Sequence, residues 1–500
     1  MTWFAWAAID PLPLVEDETS YVLQSRIFAS GHWTAPTPPA PDFFQQPHVL
    51  TIPAVASKYP PGHALLMSIG SLFGAPVLVP LLLTGLTGAL LFYLVQRVTN
   101  DKVAWLAWLA WLGDPINLRF RSAYYSEVTT SALWLVSWWA LLEWRETRKA
   151  RWLLALAAAV GWGAITRPLS MLAFAIPVGV VVIHDVARLK LWRDFAGAFA
   201  LGTLFLAILP LWSAQTTGNW RLTPQTLYTR DYLPYDKPGF GVDKTRPARL
   251  LTPPNEYTYI GFYPEHQRHT LGNLPRIAAE RLATIARQEW PGFRLVLGAF
   301  ALLGLTALSA EVAFALVCSL CLFAGYMMYG HWNEWTLYYF EATPILSVLT
   351  ALGIWRAIEW LRPRFARDDN AFARRVAPFA VASVLVATLT TFHLVDARRK
   401  RQVAAQWDDN FRRVLEKTPF KSAVVFVHYR KEGPHHSIVA NSPNLATEPF
   451  WIVNSLGPRN RELMRFAGDR VPLAFYEDTE MLKIEEGLVA DSVSSGAQRH

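Results

Sequence analysis

The sequence predicts an all-α polytopic membrane protein of about eleven transmembrane helices, with a small α/β domain at its C-terminal end outside the membrane. Of its 500 residues 52% are hydrophobic and only 17% charged, too apolar for a water-soluble chain of this length. The apolar residues also cluster in runs of roughly 15 to 25, which at ~1.5 Å per residue approach the ~30 Å of a hydrocarbon core. The mean hydropathy of +0.18 is modest for such a protein. Two water-facing parts account for the dilution, roughly 215–290 and 397–500.

The runs fall near Trp3–Val15, Pro76–Val95, Val103–Leu118, Val128–Trp144, Trp152–Ile165, Leu169–Ile183, Phe195–Ala214, Phe293–Leu308, Val312–Tyr329, Tyr339–Ile358 and Val376–Leu394. The first is too short to cross, and it lacks the basic flank of a signal peptide, so a shortened N-terminus is expected. Basic residues gather in Arg145–Arg151, Arg188–Arg193 and Arg356–Arg375. Alternation of the helices puts all three on one side, which the positive-inside rule makes the cytoplasm. The net charge of +8 therefore orients helices, and a nucleic-acid partner is not expected. The first loop, the 215–290 segment and the tail then face outward, where no nucleotide is available. The protein is expected in the cytoplasmic (inner) membrane, with its chemistry on the periplasmic side.

In the tail, apolar stretches at Ala423–Val427, Ser437–Ala440, Phe450–Val453 and Leu473–Tyr476, with a helical pattern at Arg459–Phe466, predict a small α/β domain. His428, His435 and His436 read as surface residues, and the chain after Gly487 as a polar disordered end. Cys318 and Cys321 have C-x-x-C spacing, but they sit in an apolar run without a neighbouring His or acid, so they read as small core residues.

Several polar residues are conspicuous against this background. Glu16, Asp17 and Glu18 follow the first apolar segment, and Ser57-Lys58-Tyr59-Pro60-Pro61-Gly62 follows in the same loop. A carboxylate at a membrane boundary must be hydrated or partnered, and a lysine beside a rigid Pro-Pro turn suits an anionic headgroup. As alternatives, the acids cap a helix and Lys58 snorkels. Arg167, at a turn between two spans, is costly unless paired and reads equally as functional or as an internal salt bridge. Glu127 can cap the helix that follows it. Tyr338, Tyr339 and Glu341 read as an interfacial belt unless Glu341 faces a cavity. Around Tyr232, Tyr235 and Asp236 the outward segment is rich in aromatics and turn formers, suited to stacking on a sugar and binding its hydroxyls, or to forming a lid.

The ordered set of an Asp-Glu pair after the first helix, Phe28-Ala29-Ser30-Gly31-His32-Trp33, Lys58-Tyr59-Pro60-Pro61-Gly62, Thr166-Arg167-Pro168 and Leu337 to Pro344 resembles the GT-C glycosyltransferases. These membrane enzymes include protein O-mannosyltransferases and lipid A aminoarabinose transferases, and they take a sugar from a polyprenyl or dolichyl phosphate. The resemblance runs from about Leu14 to Trp355. It implies a catalytic domain over 1–396, with outward loops 16–62 and 215–290, and a periplasmic domain over 397–500. It implies Asp17 as general base and Glu127 as the second acidic position in the next outward loop, and Glu18 stands beside Asp17 as a further catalytic candidate. It implies Lys58 as a ligand of the donor phosphate; by their own chemistry Tyr59, Arg167, Tyr338 and Tyr339 are the further candidates for the phosphate, and Tyr232, Tyr235, Asp236 and Glu341 for the sugar or acceptor. The partners implied are a polyprenyl-phosphate-linked sugar, an envelope lipid, glycan or protein acceptor, and the bilayer. No cofactor is required beyond an optional divalent metal ion, because the phosphate ester already supplies the reactive bond. The rival from another class is a secondary transporter or lipid flippase. It would show polar residues at mid-bilayer and internal repeats, whereas here the acids cluster at helix ends.

Overall fold

The computed structural model describes residues 1–6, 11–361, 376–430, 438–485 and 488. The basic stretch 362–375, His435, His436 and most of the chain after Glu485 lie outside the described residues. The chain is mostly helical. A short α1 (Thr2–Trp6) precedes α2 (Glu16–Ala29), so Glu16, Asp17 and Glu18 form the first turn of a helix and not a loop. Carboxylates are favoured there because the free N–H groups of that turn carry partial positive charge.

After a two-stranded ribbon, β1 (Val49–Leu50) and β2 (Ala56–Ser57), come α3 (Gly62–Ser71), α4 (Leu78–Val98), α5 (Asp101–Leu112), α6 (Pro115–Arg121), α7 (Glu127–Thr147), α8 (Ala150–Ala164), α9 (Pro168–Leu189), α10 (Trp192–Leu206) and α11 (Ile208–Thr217). The outward segment folds into α12 (Pro224–Tyr232), α13 (Pro253–Arg268) and α14 (Leu274–Glu289), and the chain returns through α15 (Leu295–Gly304), α16 (Ala310–Tyr326), α17 (Thr343–Leu361) and the long α18 (Ala377–Glu416).

Among the described residues five helices are long and apolar enough to span a membrane: α4, α9, the α10–α11 pair, 336–361 and the first thirty residues of α18. A sixth is obtained if the pair 271–289 and 292–307, bent by 107°, counts as one span. The expected eleven is thus corrected to five or six. The remaining runs make helices that are too short, such as α5, α8 and α16, or too polar, such as α7 with its Thr, Ser and Glu residues.

The expected run Val103–Leu118 shows why. It breaks at Gly113-Asp114-Pro115, and the freed carbonyls at the end of α5 are taken up by two buried arginines. Arg121 donates to the Trp111 and Leu112 carbonyls at 3.2 and 2.5 Å, and Arg294 to Gly113 and Ala110 at 2.8 and 2.9 Å. A helix end away from water is tolerated only when such partners exist. Close packing is equally specific where α15 meets α17. A Cβ on Gly304 would lie 2.0 Å from the Leu349 carbonyl oxygen, and one on Gly353 1.7 Å from that of Phe300, so only glycine permits this approach.

Beyond α18 the chain forms a four-stranded sheet ordered β4-β3-β5-β6, from β3 (Ala423–His428), β4 (Phe450–Asn454), β5 (Val471–Tyr476) and β6 (Met481–Ile484). β3 pairs parallel with β4 and β5, and β6 runs antiparallel to β5. The helical pattern becomes a 3-10 turn and the short α19 (Asn460–Met464). No strand forms at 438–440. There the Asn441 side chain bonds both the N–H and the carbonyl of Ile452, at 2.9 and 2.8 Å, and takes the place of a ladder partner for β4. The 396/397 boundary falls within the continuous helix α18.

Candidate active site

A cavity of about 500 Å³ opens where the first turn of α2, the strands after it, the α8–α9 turn and the 229–241 segment converge. Local chemistry fixes each contributor. Pro60 and Pro61 stiffen the approach to α3, and Gly62 lets that turn press against the next wall. A Cβ there would sit 2.3 Å from Thr166 Oγ1, and the Gly62 N–H donates to the Ile165 carbonyl at 2.9 Å. Two indoles complete the clamp: Trp162 Nε1 donates to the Gly62 carbonyl at 3.1 Å and Trp212 Nε1 to that of Tyr59 at 3.2 Å.

Asp17 lines the cavity with a quarter of its side chain exposed. The Tyr59 hydroxyl donates to its Oδ1, and the imidazole of His48 lies 3.7 Å from its Oδ2. Burial first, and then the ammonium of Lys58, push His48 down to about 4, so the imidazole is neutral near pH 7. Its Nδ1 is buried without a hydrogen-bond partner among the described residues.

Lys58 is 5% exposed, with Nζ 3.6 Å from Asp236 Oδ2 and 4.9–5.1 Å from the ring centres of Tyr228 and Tyr59. Asp236 also accepts from the Tyr329 hydroxyl and lies 3.8 Å from His266. Burial works against its charge, but Lys58 foremost, with His266, holds its carboxyl below the usual value. Arg167 closes another wall. Its guanidinium donates to Glu127 at 2.5 Å, to the Tyr326 hydroxyl at 2.8 Å and to Ser170 at 3.3 Å, and lies 3.5 Å from Glu341.

The structure therefore brings Asp17, Lys58, Tyr59, Arg167, Tyr338 and Asp236 around one cavity. Glu127 and Glu341 sit behind Arg167 as its counter-charges. Glu341 instead reaches a separate apolar pocket of about 50 Å³ and accepts from Thr130 at 2.5 Å. Glu18 is fully buried, facing Arg401 at 3.2 Å. Tyr339 turns to Arg281 and His331, at 3.4 and 3.1 Å. Tyr232 and Tyr235, expected to stack on a sugar, are 2% and 1% exposed in an aromatic cluster with Tyr228, and the Tyr235 hydroxyl donates to the Tyr259 carbonyl. Turn-rich composition told of an ordered loop but not of which rings it would bury.

His48, Tyr21, Tyr228, Tyr329, Trp212 and Trp335 were not anticipated. His48 carried a weak signal, lying in the same loop as the Lys-Tyr-Pro-Pro turn; Tyr228 and Tyr329 reach the site only through tertiary packing. Among the described residues no group of three metal-ligating side chains is present.

Residues 59–213 match the family model for dolichyl-phosphate-mannose-protein mannosyltransferase. That stretch includes the Tyr-Pro-Pro-Gly and Thr-Arg-Pro turns but not Asp17 or Lys58. No curated protein matches the chain in sequence. Among solved structures, the chain is similar to ArnT from Cupriavidus metallidurans bound to undecaprenyl phosphate, with a TM-score of 0.52 and 15% identity over 95% of this chain and 88% of that one. The apo state of the same protein aligns with a TM-score of 0.49 and 14% identity over 87% and 81%. The expected resemblance to the GT-C glycosyltransferases is thus borne out over residues 59–213 by the mannosyltransferase model and, for the chain as a whole, in fold.

Proposed function

We propose that this chain transfers a sugar from a polyprenyl-phosphate donor to an envelope acceptor at the outer face of the cytoplasmic membrane. Asp17 acts as general base, and Lys58 faces the donor phosphate, with Arg167 holding the wall beside it. The observation that carries this reading is the meeting of an accessible carboxylate and a buried, incompletely used ammonium in one cavity large enough for a sugar ring. In the reaction the acceptor hydroxyl gives its proton to Asp17 as its oxygen bonds the anomeric carbon. The bond from that carbon to the phosphate oxygen breaks, and its electron pair leaves with the polyprenyl phosphate.

Each residue has a bounded task. The Tyr59 hydroxyl donates to one oxygen of Asp17 and leaves the other for the acceptor. Lys58 offers N–H donors to the negative charge that grows on the phosphate, in a site shielded from water where such donors count for most. The neutral His48 adds polarity beside Asp17 without a second cation competing for the phosphate. Glu127 and Glu341 hold Arg167 in place.

The outward orientation is supported by α9, a membrane span whose N-terminal end carries Arg167 and whose far end is basic at Arg188. A cysteine at Asn219 should react with an impermeant thiol reagent in intact cells, and one at Arg193, where α10 begins after the turn from α9, should not; the opposite pattern would put the cavity in the cytoplasm. The reaction itself is tested by incubating purified protein with a panel of radiolabelled polyprenyl-phosphate sugars and envelope extracts. Label transferred from one donor is expected, whereas donor flux across proteoliposomes without transfer would point to a transporter.

A further inference from the structure

Two of the contacts that the C-terminal segment makes with the site-bearing part of the chain bear on the cavity. The first is on α18. Arg401 donates to both carboxylate oxygens of Glu18, at 3.2 Å each, and to the Leu12 carbonyl at 2.6 Å. Glu18 also accepts from the Tyr124 N–H at 3.1 Å. These contacts fix the first turn of α2, and Asp17, one residue earlier, is thereby aimed at the cavity. The second is at the end of β4. Asn454, fully buried, donates to the carbonyls of Phe43 and Gln45 at 3.0 and 2.7 Å. Arg459 pairs with Asp42 at 3.2 Å, and the rings of Phe43 and Phe44 pack against Phe426 and Trp451 in the core of the sheet.

Residues 41–48 thus form a strap whose far end is His48. The His48 N–H donates to the Tyr228 hydroxyl at 2.9 Å, and its carbonyl accepts from the Lys58 N–H at 2.9 Å and from Ser20 Oγ at 3.1 Å. Tyr228 is also one of the two rings beneath the Lys58 ammonium. At the two ends of the strap Ala40 and His48 have φ of 49° and 66°. Non-glycine residues persist in that region only where their surroundings hold them. For this strap the surroundings are the sheet at one end and Tyr228, Ser20 and Lys58 at the other.

We infer that the C-terminal segment is a positioning element of the cavity, with Arg401 setting the Asp17 wall and Asn454 setting the His48–Lys58 wall through the strap. The inference rests on the proposed transfer reaction for its kinetic consequence but not for its structural one. A catalytic carboxylate and a phosphate-facing lysine must be held at a fixed separation, and a misplacement of ~1 Å can cost ~10²-fold in rate. Neither contact touches the reacting atoms. Arg401 and Asn454 act through Asp17 and Lys58.

The experiment uses the full-length protein in detergent and two readouts. Hydrogen exchange is measured in Asn454→Ala and Arg401→Lys, together with the paired Glu18→Gln/Arg401→Met, which removes both charges so that no buried ion is left alone. Arg459→Ala, at a partly exposed position, stands in should Asn454→Ala fail to fold. In Asn454→Ala exchange should rise at 41–46 and also across 48–59; in the Arg401 variants it should rise over the first turn of α2. In transfer assays the Asn454 variant should raise donor KM roughly tenfold with a smaller change in kcat, and the Arg401 variants should lower kcat. Arg401→Lys should retain more activity than the double variant. Exchange that rises only at 41–46 and within the tail, with 48–59 and α2 as in the wild type, would overturn the inference whatever the assays give. A wild-type protein inactive with every donor, but with exchange spreading into 48–59 in the variants, would count against the transferase reading and leave the positioning role supported.

Discussion

Lys58 and Arg167 both line the cavity, but they are used very differently. Arg167 spends its N–H groups on Glu127, Tyr326 and Ser170, all at 2.5–3.3 Å, with Glu341 close behind. Lys58 has one carboxylate at 3.6 Å, beyond hydrogen-bond length, and two aromatic faces. A saturated cation holds walls together, whereas an under-used one has donors left for a ligand. The same contrast separates the carboxylates. Glu127 is 1% exposed against Arg167, while Asp17 keeps a quarter of its side chain open to the cavity. On the proposed reading, then, Asp17 and Lys58 are the two of these four groups that do the chemistry, and Arg167 and Glu127 are chiefly the frame around them.

The strongest test of this contrast is Arg167→Met. It strands two carboxylates in a nearly dry site, and removing one partner of a buried pair typically costs about 3–5 kcal/mol. The expected result is a large fall in thermal stability in detergent, relieved when Glu127→Gln is added. A stable but inactive Arg167→Met would place Arg167 with the ligand-ready groups and break the contrast. Next in size is Asp17→Asn, which keeps shape and polarity but cannot take a proton. Activity should drop by ~10²-fold or more with the melting temperature preserved. Normal turnover in Asp17→Asn, with turnover abolished in Glu127→Gln, would move the base behind Arg167.

Lys58→Ala should be milder, raising donor KM by roughly tenfold or more, the worth of one hydrogen bond to a charged group. It also leaves Asp236 alone in a buried place, so Lys58→Ala/Asp236→Asn is the cleaner variant. Unchanged donor kinetics in the double variant would mark the pair as structural, like Arg167 with Glu127.

The sequence made the membrane class, the strands at 423–427, 450–453 and 473–476, and the Glu16-Asp17-Glu18 and Lys58-Tyr59-Pro60-Pro61 motifs legible because each rests on local pattern. Periodicity and turn chemistry act over a few residues, and so do the motifs that carry the family resemblance. What stayed hidden was relational. Arg167 could be read as functional or as paired, and the answer lay in Glu127 and Glu341, which only the packing of α7 and 336–342 brings to it. Apolar length at Val103–Leu118 promised a span, but the break at Gly113 is stabilised by Arg294, far along the chain. Tyr232 and Tyr235 carried the right chemistry for a sugar and were drawn into a core with Leu50 and Leu227. Tertiary contact decided each case, and composition carries no record of it.

The smallest expected effect concerns His48, the neutral neighbour of Asp17. Its value in the fold is about 4 against 6.5 for an ordinary histidine, through burial first and Lys58 second. Between those two pH values the unfolded chain binds a proton that the folded protein refuses, so His48 makes no contribution above about pH 6.5 and an increasing penalty as pH falls toward 4, constant below that. The Asp236 carboxyl, held below 3.8, loses its stabilising charge only at lower pH, so the two groups act in separate windows. His48→Gln removes the titration but keeps a polar side chain on the strap. Thermal unfolding in detergent at pH 7 and pH 5 should therefore show a smaller acid loss in His48→Gln than in the wild type, with modest change at pH 7. An NMR titration of the wild type with a His48 midpoint well above 7 would reverse the sign of its role. The imidazole would then be charged over much of the working range and paired with Asp17, and the carboxylate described as open would be nearly as occupied as Glu127.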